Sequence, residues 1–97
     1  MVKTQEFASV WDALYDDPIQ ARAMERRSLL MFEVQDWIEK GKWSQAEVAK
    51  KLGITQPRAS ELINSKVDKF SLEALLGFLD KIGADVHIKV DKPKKAA

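Results

Sequence analysis

The fold of this 97-residue chain is decided by the stretch from Gln45 to Ile63, QAEVAKKLGITQPRASELI. The stretch has the pattern of a helix, a short turn at a glycine and a second helix. Two helices that cross steeply around a tight turn need a small residue where they touch and a turn residue that tolerates positive φ. Ala49 and Gly53 meet these two needs. The pattern therefore predicts a helix-turn-helix unit.

Capping residues predict where both helices begin. Ser44, with Glu47 three residues later, matches a capping box, so the first helix should begin directly after Ser44. Thr55 is the expected N-cap of the second helix, and Pro57 is tolerated in its first turn because those backbone N–H groups have no intrahelical partner. We expect the second helix to end near Asn64.

The second helix should enter a DNA major groove, as in helix-turn-helix proteins generally. Its period places Ala59, Leu62 and Ile63 toward the core. The outward residues predicted to meet DNA are Gln56, Pro57, Arg58, Ser60, Glu61 and Asn64. The same pattern also serves plain packing in helical domains that bind no DNA, and that alternative stays open.

The outward side chains suit different contacts. The Gln56 amide can both donate to and accept from adenine, and Ser60 can hydrogen-bond a base or a phosphate. Arg58 can bind guanine or phosphate, and sequence does not decide between them. Phosphates repel Glu61 unless its carboxylate accepts from a cytosine amine or pairs with Arg58. Pro57 offers only apolar contact, because it has no N–H to donate.

Positive charge is concentrated around the motif, although the whole chain has a net charge of only +1. Residues 1–39 contain four basic and eight acidic side chains, whereas residues 40–69 contain seven and three. DNA affinity depends on cations gathered where the phosphate backbone passes. The candidate phosphate-binding side chains are Lys40, Lys42, Lys50, Lys51, Arg58, Lys66 and Lys69.

The motif resembles that of the phage repressor and Cro (XRE) helix-turn-helix family. The resemblance is carried by Gln45, Ala49, Gly53, Ile54, Gln56 and Leu62. It implies that Gln56 takes the first base-contacting position and that Gln45 and Thr55 contact phosphate at the helix starts. Simple helix capping is an equal alternative for Thr55.

A longer run, from Trp43 to Val90, resembles antitoxins of the host-inhibition-of-growth type through LGITQPRASELINSK, KFSLEALLGFL and KIGADVHIKV. This resemblance implies a cognate toxin similar to ribosome-dependent messenger-RNA-cleaving ribonucleases, and repression of the shared operon by the complex. The acidic N-terminal third, with Phe7, Trp11 and Tyr15, would suit a basic nuclease. Alternatively, these aromatic side chains complete the protein's own core.

Helical patterns extend on both sides of the motif and predict an all-α, five-helix, repressor-like domain. In residues 1–17 a short amphipathic helix is expected from apolar residues at helical spacing, and residues 18–83 form the DNA-binding domain. Asp17 and Pro18 should open a long helix that Gly41 ends, and Ser71 and Gly83 should bound the last helix. The apolar residues of the N-terminal helix are Phe7, Val10, Trp11 and Leu14. In the last helix, Leu72, Leu75, Leu76 and Leu79 form an apolar stripe that completes the core.

The C-terminal segment alternates like a half-buried strand. Val86, Ile88 and Val90 share one side of residues 84–91, and no other segment offers a partner strand. We therefore expect pairing across a homodimer that binds a palindromic operator, with half-sites about 34–36 Å apart. A strand of another protein, a local hairpin or an extended tail are the alternatives. Residues 92–97 should form a disordered basic tail.

Composition argues against catalysis. The chain lacks cysteine, which excludes thiolate chemistry and fits a reducing cytoplasm, and it shows no signal peptide or membrane span. His87 is the only histidine and has no nucleophile or paired acid at useful spacing. We expect no enzymatic activity and no cofactor, metal or small-molecule substrate. The expected function is that of a cytoplasmic repressor that binds double-stranded DNA. A stand-alone regulator and a helical adaptor that binds only protein are the alternatives.

Overall fold

A computed structural model describes residue 14 and residues 16–93. That part of the chain contains four α-helices and one short 3-10 helix. They are α1 (Pro18–Gly41), α2 (Gln45–Leu52), α3 (Gln56–Ile63), the 3-10 helix (Val67–Lys69) and α4 (Leu72–Lys81). The predicted count of five helices is therefore wrong for the described residues. The expected N-terminal helix, with Phe7, Val10 and Trp11, lies outside them apart from Leu14.

The long helix α1 begins as predicted and ends differently. Asp17 is its N-cap and accepts a hydrogen bond from the Ile19 N–H at 2.9 Å. At the other end Lys42, not Gly41, takes the left-handed conformation, with φ +53°. Gly41 has another purpose, because a Cβ atom there would overlap the Trp43 indole. The glycine is needed for close approach rather than for its φ.

The helix-turn-helix follows the predicted caps closely. Both halves of the capping box are present, at 3.2 Å from the Glu47 N–H to Ser44 Oγ and 3.0 Å from the Ser44 N–H to Glu47 Oε1. Gly53 has φ +69°, where a side chain would be strained. Its N–H donates to the Ala49 carbonyl and closes α2. Thr55 caps α3, and Asn64 is its C-terminal cap.

One core cluster joins all four helices. Its fully buried large side chains are Met31, Val34, Val48, Leu52, Leu62, Phe70 and Leu75. The expectation that Ile63 and Leu72 face this core is wrong, because their side chains are 38% and 39% exposed. Phe70 and Phe78 belong to the core, with ring centroids 5.8 Å apart and rings inclined at 72°. Since α2 and α3 pack on α1 and α4 through this cluster, α3 is held as a rigid element.

The C-terminal segment is not a strand. Residues 84–93 have no regular secondary structure, and no strand occurs anywhere in the described part of the chain. Val86 is half-buried against the core, whereas Ile88 and Val90 are 77% and 82% exposed. A strand requires a ladder of hydrogen bonds to a neighbour, and alternation of side chains cannot replace it. The predicted strand is therefore wrong for the described chain.

Candidate nucleic-acid interface

The starts of α2 and α3 lie side by side. Gln45, the first residue of α2, donates from Nε2 to the carbonyl oxygen of Gln56, the first residue of α3, at 3.1 Å. Gln45, Gln56 and Pro57 are all exposed. Helix N-termini carry partial positive charge and unpaired N–H groups, so adjacent N-termini favour anionic groups such as DNA phosphates. Three of the residues predicted to meet DNA thus occupy one exposed surface.

Thr55 has the capping role that the sequence left open. Its Oγ1 accepts a hydrogen bond from the Arg58 N–H at 3.3 Å. Capping uses one acceptor lone pair, and the hydroxyl proton remains available for a phosphate oxygen. A phosphate contact from Thr55 remains a prediction that is compatible with this geometry.

The side chain of Arg58 is placed between a carboxylate and an aromatic ring. Its Nη1 lies 3.5 Å from Glu61 Oε1, one helical turn along α3. Its Cζ lies 4.2 Å from the centroid of Phe70. The pairing with Glu61 is one of the two arrangements that the sequence left open for this acidic residue.

The C-terminal end of α3 forms its own hydrogen-bonded group. Asn64 Nδ2 donates to the Ser60 carbonyl at 2.9 Å and lies 3.2 Å from Ser60 Oγ. These contacts hold the Asn64 amide against the helix, although both residues keep solvent access. Lys66 is exposed just beyond Ser65, which has φ +59°.

Two side chains outside the motif position the helix-turn-helix, and the sequence did not indicate either. Gln35 of α1 donates from Nε2 to the Leu62 carbonyl at 2.9 Å and to Ser65 Oγ at 2.7 Å. Lys81 of α4 donates from Nζ to the Leu52 carbonyl at 2.7 Å. Lys81 satisfies a carbonyl that the end of α2 leaves unpaired, and Gln35 adds a second donor to the Leu62 carbonyl, which also accepts from the Ser65 N–H at 3.3 Å. The partners are far apart in sequence, so no local pattern could have indicated these contacts.

The basic residues near the motif fall into two groups. Lys42, Lys50, Lys66 and Lys69 are exposed and engage no ion pair within the described residues. Lys40 lies 2.9 Å from Asp36, and the hydrogen bond and charge of that carboxylate raise the Lys40 pKa. Lys51 Nζ lies 4.1 Å from the ring centroid of Trp43. Lys40 and Lys51 therefore contact other side chains of the protein.

A second surface lies between α1, the end of α4 and residues 83–87. It is an open groove of about 710 Å³, which we call the acidic groove. Its apolar lining includes Trp37, Trp43 and Val86. Its charged members are Glu33, Asp36 beside Lys40, and Asp85 beside His87. No residue of α3 lines it. The acidic groove is thus separate from the surface at the start of α3.

Other predicted sites contribute little to the described structure. Phe7, Trp11 and Tyr15, the residues proposed for toxin binding, lie outside the described residues. His87 is exposed, with Nε2 at 3.3 Å from Asp85 Oδ2. In residues 14 and 16–93, no three potential ligands among His, Cys, Asp and Glu come together to hold a metal ion. None of the helices described is both long and apolar enough to span a membrane.

Comparison with known proteins assigns the family. The helix-turn-helix domain family matches residues 14–91 of this chain. A solved structure described as an XRE-family transcriptional regulator is 34% identical, with a TM-score of 0.72, and the match covers 80% of this chain and 90% of that one. None of the curated proteins matches significantly. With its paired helix starts and its glycine turn, the chain belongs to the XRE helix-turn-helix family of transcriptional regulators.

Proposed function

We propose that the protein is a sequence-specific repressor that inserts α3 into the major groove of double-stranded DNA. The observation that carries this proposal is the Gln45–Gln56 hydrogen bond of 3.1 Å, which holds the starts of α2 and α3 together on an exposed surface. Helix-turn-helix proteins contact base edges with the N-terminal residues of the second helix. A repressor needs that end of the helix accessible and anchored, and the proposal is supported by the exposure of Gln56 and Pro57 and by the burial of Ala59 and Leu62 behind them.

The proposal divides the exposed residues by task. Gln56 contacts a base, and Gln45 and Thr55 contact phosphates at the two helix starts. Lys66, beyond the end of α3, adds a further phosphate contact. Ser60 and Asn64 already bond to each other, so their contribution to binding is smaller.

The repressor acts as a homodimer on a palindromic operator. One copy supplies a single α3, and a two-fold pair of such helices reads two half-sites separated by about one turn of DNA, roughly 34–36 Å. Sedimentation of the protein with operator DNA should give two protein chains per duplex. One chain per duplex at saturation would contradict the dimer.

The DNA-binding proposal is tested by titrating labelled DNA from upstream of the gene against a scrambled duplex. Wild-type affinity should fall steeply with salt, because binding releases counterions from the phosphates. Gln56→Ala should weaken operator binding by a factor of roughly 5 to 150, the range of one base contact. The matched control is Gln20→Ala, which removes the same amide from an exposed site on α1. Equal affinity for both duplexes, or equal effects of the two variants, would contradict the proposal.

We infer a second role as an antitoxin, supported by the acidic groove. The Glu33 carboxylate, which forms no ion pair among the described residues, and the tryptophan-rich lining suit a basic partner with an apolar anchor, such as a small ribonuclease. The groove is separate from α3, so one chain could hold a toxin and DNA together. Phe7, Trp11 and Tyr15, which lie outside the described residues, are proposed as further contacts of the toxin. An adaptor without DNA binding would share this protein contact and lack the operator contact.

Co-expression with a small basic protein encoded beside this gene tests the antitoxin role. A stable complex should co-purify and should suppress toxicity in cells. Glu33→Lys, which reverses an exposed charge in the acidic groove, should weaken the complex, whereas Glu39→Lys makes the same change on α1 outside the groove. Thermal melts of both variants separate loss of contact from loss of folding. Absence of any complex on co-expression would remove this role and leave DNA binding untouched.

A further inference from the structure

Arg58 occupies a position from which base contacts are made. It is the third residue of α3, within the first turn, and its side chain is 38% exposed. A phosphate contact and a base contact place different demands on an arginine. A phosphate requires only that the charge come near, whereas a base edge requires the guanidinium to be held at a defined place and angle.

Phe70 restricts where that guanidinium can lie. The ring is 1% exposed and packs edge-on against Phe78, so it is a fixed part of the core. Arg58 Cζ lies 4.2 Å above its centroid. Attraction between a cation and the face of an aromatic ring therefore ties the Arg58 side chain to a buried side chain of the core.

Glu61 contributes orientation and cancels charge. Its Oε1 lies 3.5 Å from Arg58 Nη1. The two side chains together have no net charge, so the pair adds little to the general attraction between protein and phosphates. The hydrogen-bonding capacity of Arg58 is retained, because its guanidinium donates no hydrogen bond to any other residue described in the structure. An arginine neutralised in this way contributes little to non-specific DNA affinity, but it can still form hydrogen bonds with one particular base.

We propose that Arg58 contacts a guanine in the major groove and that Phe70 and Glu61 are positioning residues for that contact. The proposal rests on the DNA-binding function proposed above. Guanine presents two acceptors, O6 and N7, which match the paired N–H donors of a guanidinium. Glu61 has the further effect of lowering affinity for DNA in general, because its carboxylate cancels the positive charge that Arg58 would otherwise offer to phosphates.

The experiment separates base contact from charge by using a charge-matched variant. Binding sites are selected from randomised duplexes for wild type, for Glu61→Gln and for the double variant Arg58→Gln/Glu61→Gln. The double variant has the same net charge as wild type and lacks the guanidinium. Lys66→Gln serves as the control for an exposed phosphate-binding lysine.

Wild type should require guanine at one position of each half-site. The double variant should lose that preference and bind the selected operator about 5 to 150 times more weakly, with an unchanged salt dependence. Glu61→Gln should bind random DNA more tightly, and the slope of log affinity against log salt should steepen by about 0.9 per chain. Lys66→Gln should weaken operator and random DNA alike and make the slope shallower.

Two results would overturn the proposal while the repressor function stands. One is a double variant that still requires the same guanine, and the other is a Glu61→Gln variant with the same ratio of operator to random affinity as wild type. Phe70→Leu, which keeps an apolar side chain and removes the ring face, should reduce the guanine preference in protein that remains folded by thermal melting. If wild type selects no site at all, both proposals fail together.

Discussion

Two regions of this protein had equally clear sequence patterns, and only one of them adopts the predicted structure. Residues 44–65 form the expected helix-turn-helix, with its caps and its glycine turn in place. Residues 84–91 alternate like a strand and have no regular structure. The difference lies in where the hydrogen-bond partners are. Caps and helices are satisfied within a few residues, whereas a strand depends on a second segment.

The largest effect should come from the core beneath the motif. Leu62→Ala removes a fully buried side chain of α3, and the free energy of unfolding should fall by about 2–5 kcal/mol. Urea denaturation followed by circular dichroism measures it. A loss below about 1 kcal/mol would mean that α3 is held by local signals more than by packing.

A smaller loss is expected at the turn. Gly53→Ala forces a side chain into φ +69°, which should cost about 1–2 kcal/mol. The new Cβ would also lie 3.3 Å from Lys81 Nζ. Gly77→Ala is the matched control, since it lies inside α4 with no atom within 4 Å of the added Cβ. The control should stabilise the protein by roughly 0.5–1 kcal/mol. Equal signs for the two substitutions would contradict the role of the turn.

The capping box should contribute about as much as a typical N-cap. Ser44→Ala should lower the free energy of unfolding by about 1 kcal/mol, because the Glu47 N–H loses its acceptor. The control is Ser71→Ala, which removes the hydroxyl that accepts from the Ala74 N–H at the start of α4. Similar losses at both sites, measured by urea denaturation, would show that caps act locally. No loss at either site would break that view.

The same box predicts a dependence on pH. Hydrogen bonds from the Ser44 N–H and hydroxyl lower the Glu47 pKa below its usual 4.5. Since the folded pKa is the lower one, this stabilisation is present above pH 4.5 and is lost as the pH falls through the folded value. Glu47→Gln should therefore flatten the acid limb of stability against pH. An unchanged limb would show that the carboxylate has no part in it.

The smallest effects should separate two valines of the C-terminal segment. Val86→Ala should cost roughly 0.5–1 kcal/mol, because Val86 packs against the core. Val90 is 82% exposed, and Val90→Ala should change stability by less than about 0.5 kcal/mol. Thermal melts of the two variants decide the matter. Equal losses would mean that the segment is ordered as a unit.

Most of the helix boundaries could be predicted from sequence. Asp17, Ser44, Thr55 and Ser71 each cap the helix assigned to them, because the bonded atoms lie within three residues along the chain. The exposed residues at the start of α3 were also identified in advance. Whether these residues contact DNA stays a prediction. The purpose of Gly41 was not predicted, because this glycine allows the Trp43 indole to approach the backbone closely and is not the residue that caps the helix.

The amino-acid sequence by itself determined the helix-turn-helix, because caps, a glycine turn and apolar periodicity act over one or two turns of helix. Only the tertiary structure decided how that unit is held. Gln35 and Lys81 reach helix ends 27 and 29 residues away, and Phe70 meets Arg58 from another element. Such contacts depend on the geometry of packed helices, and no spacing along the chain encodes them.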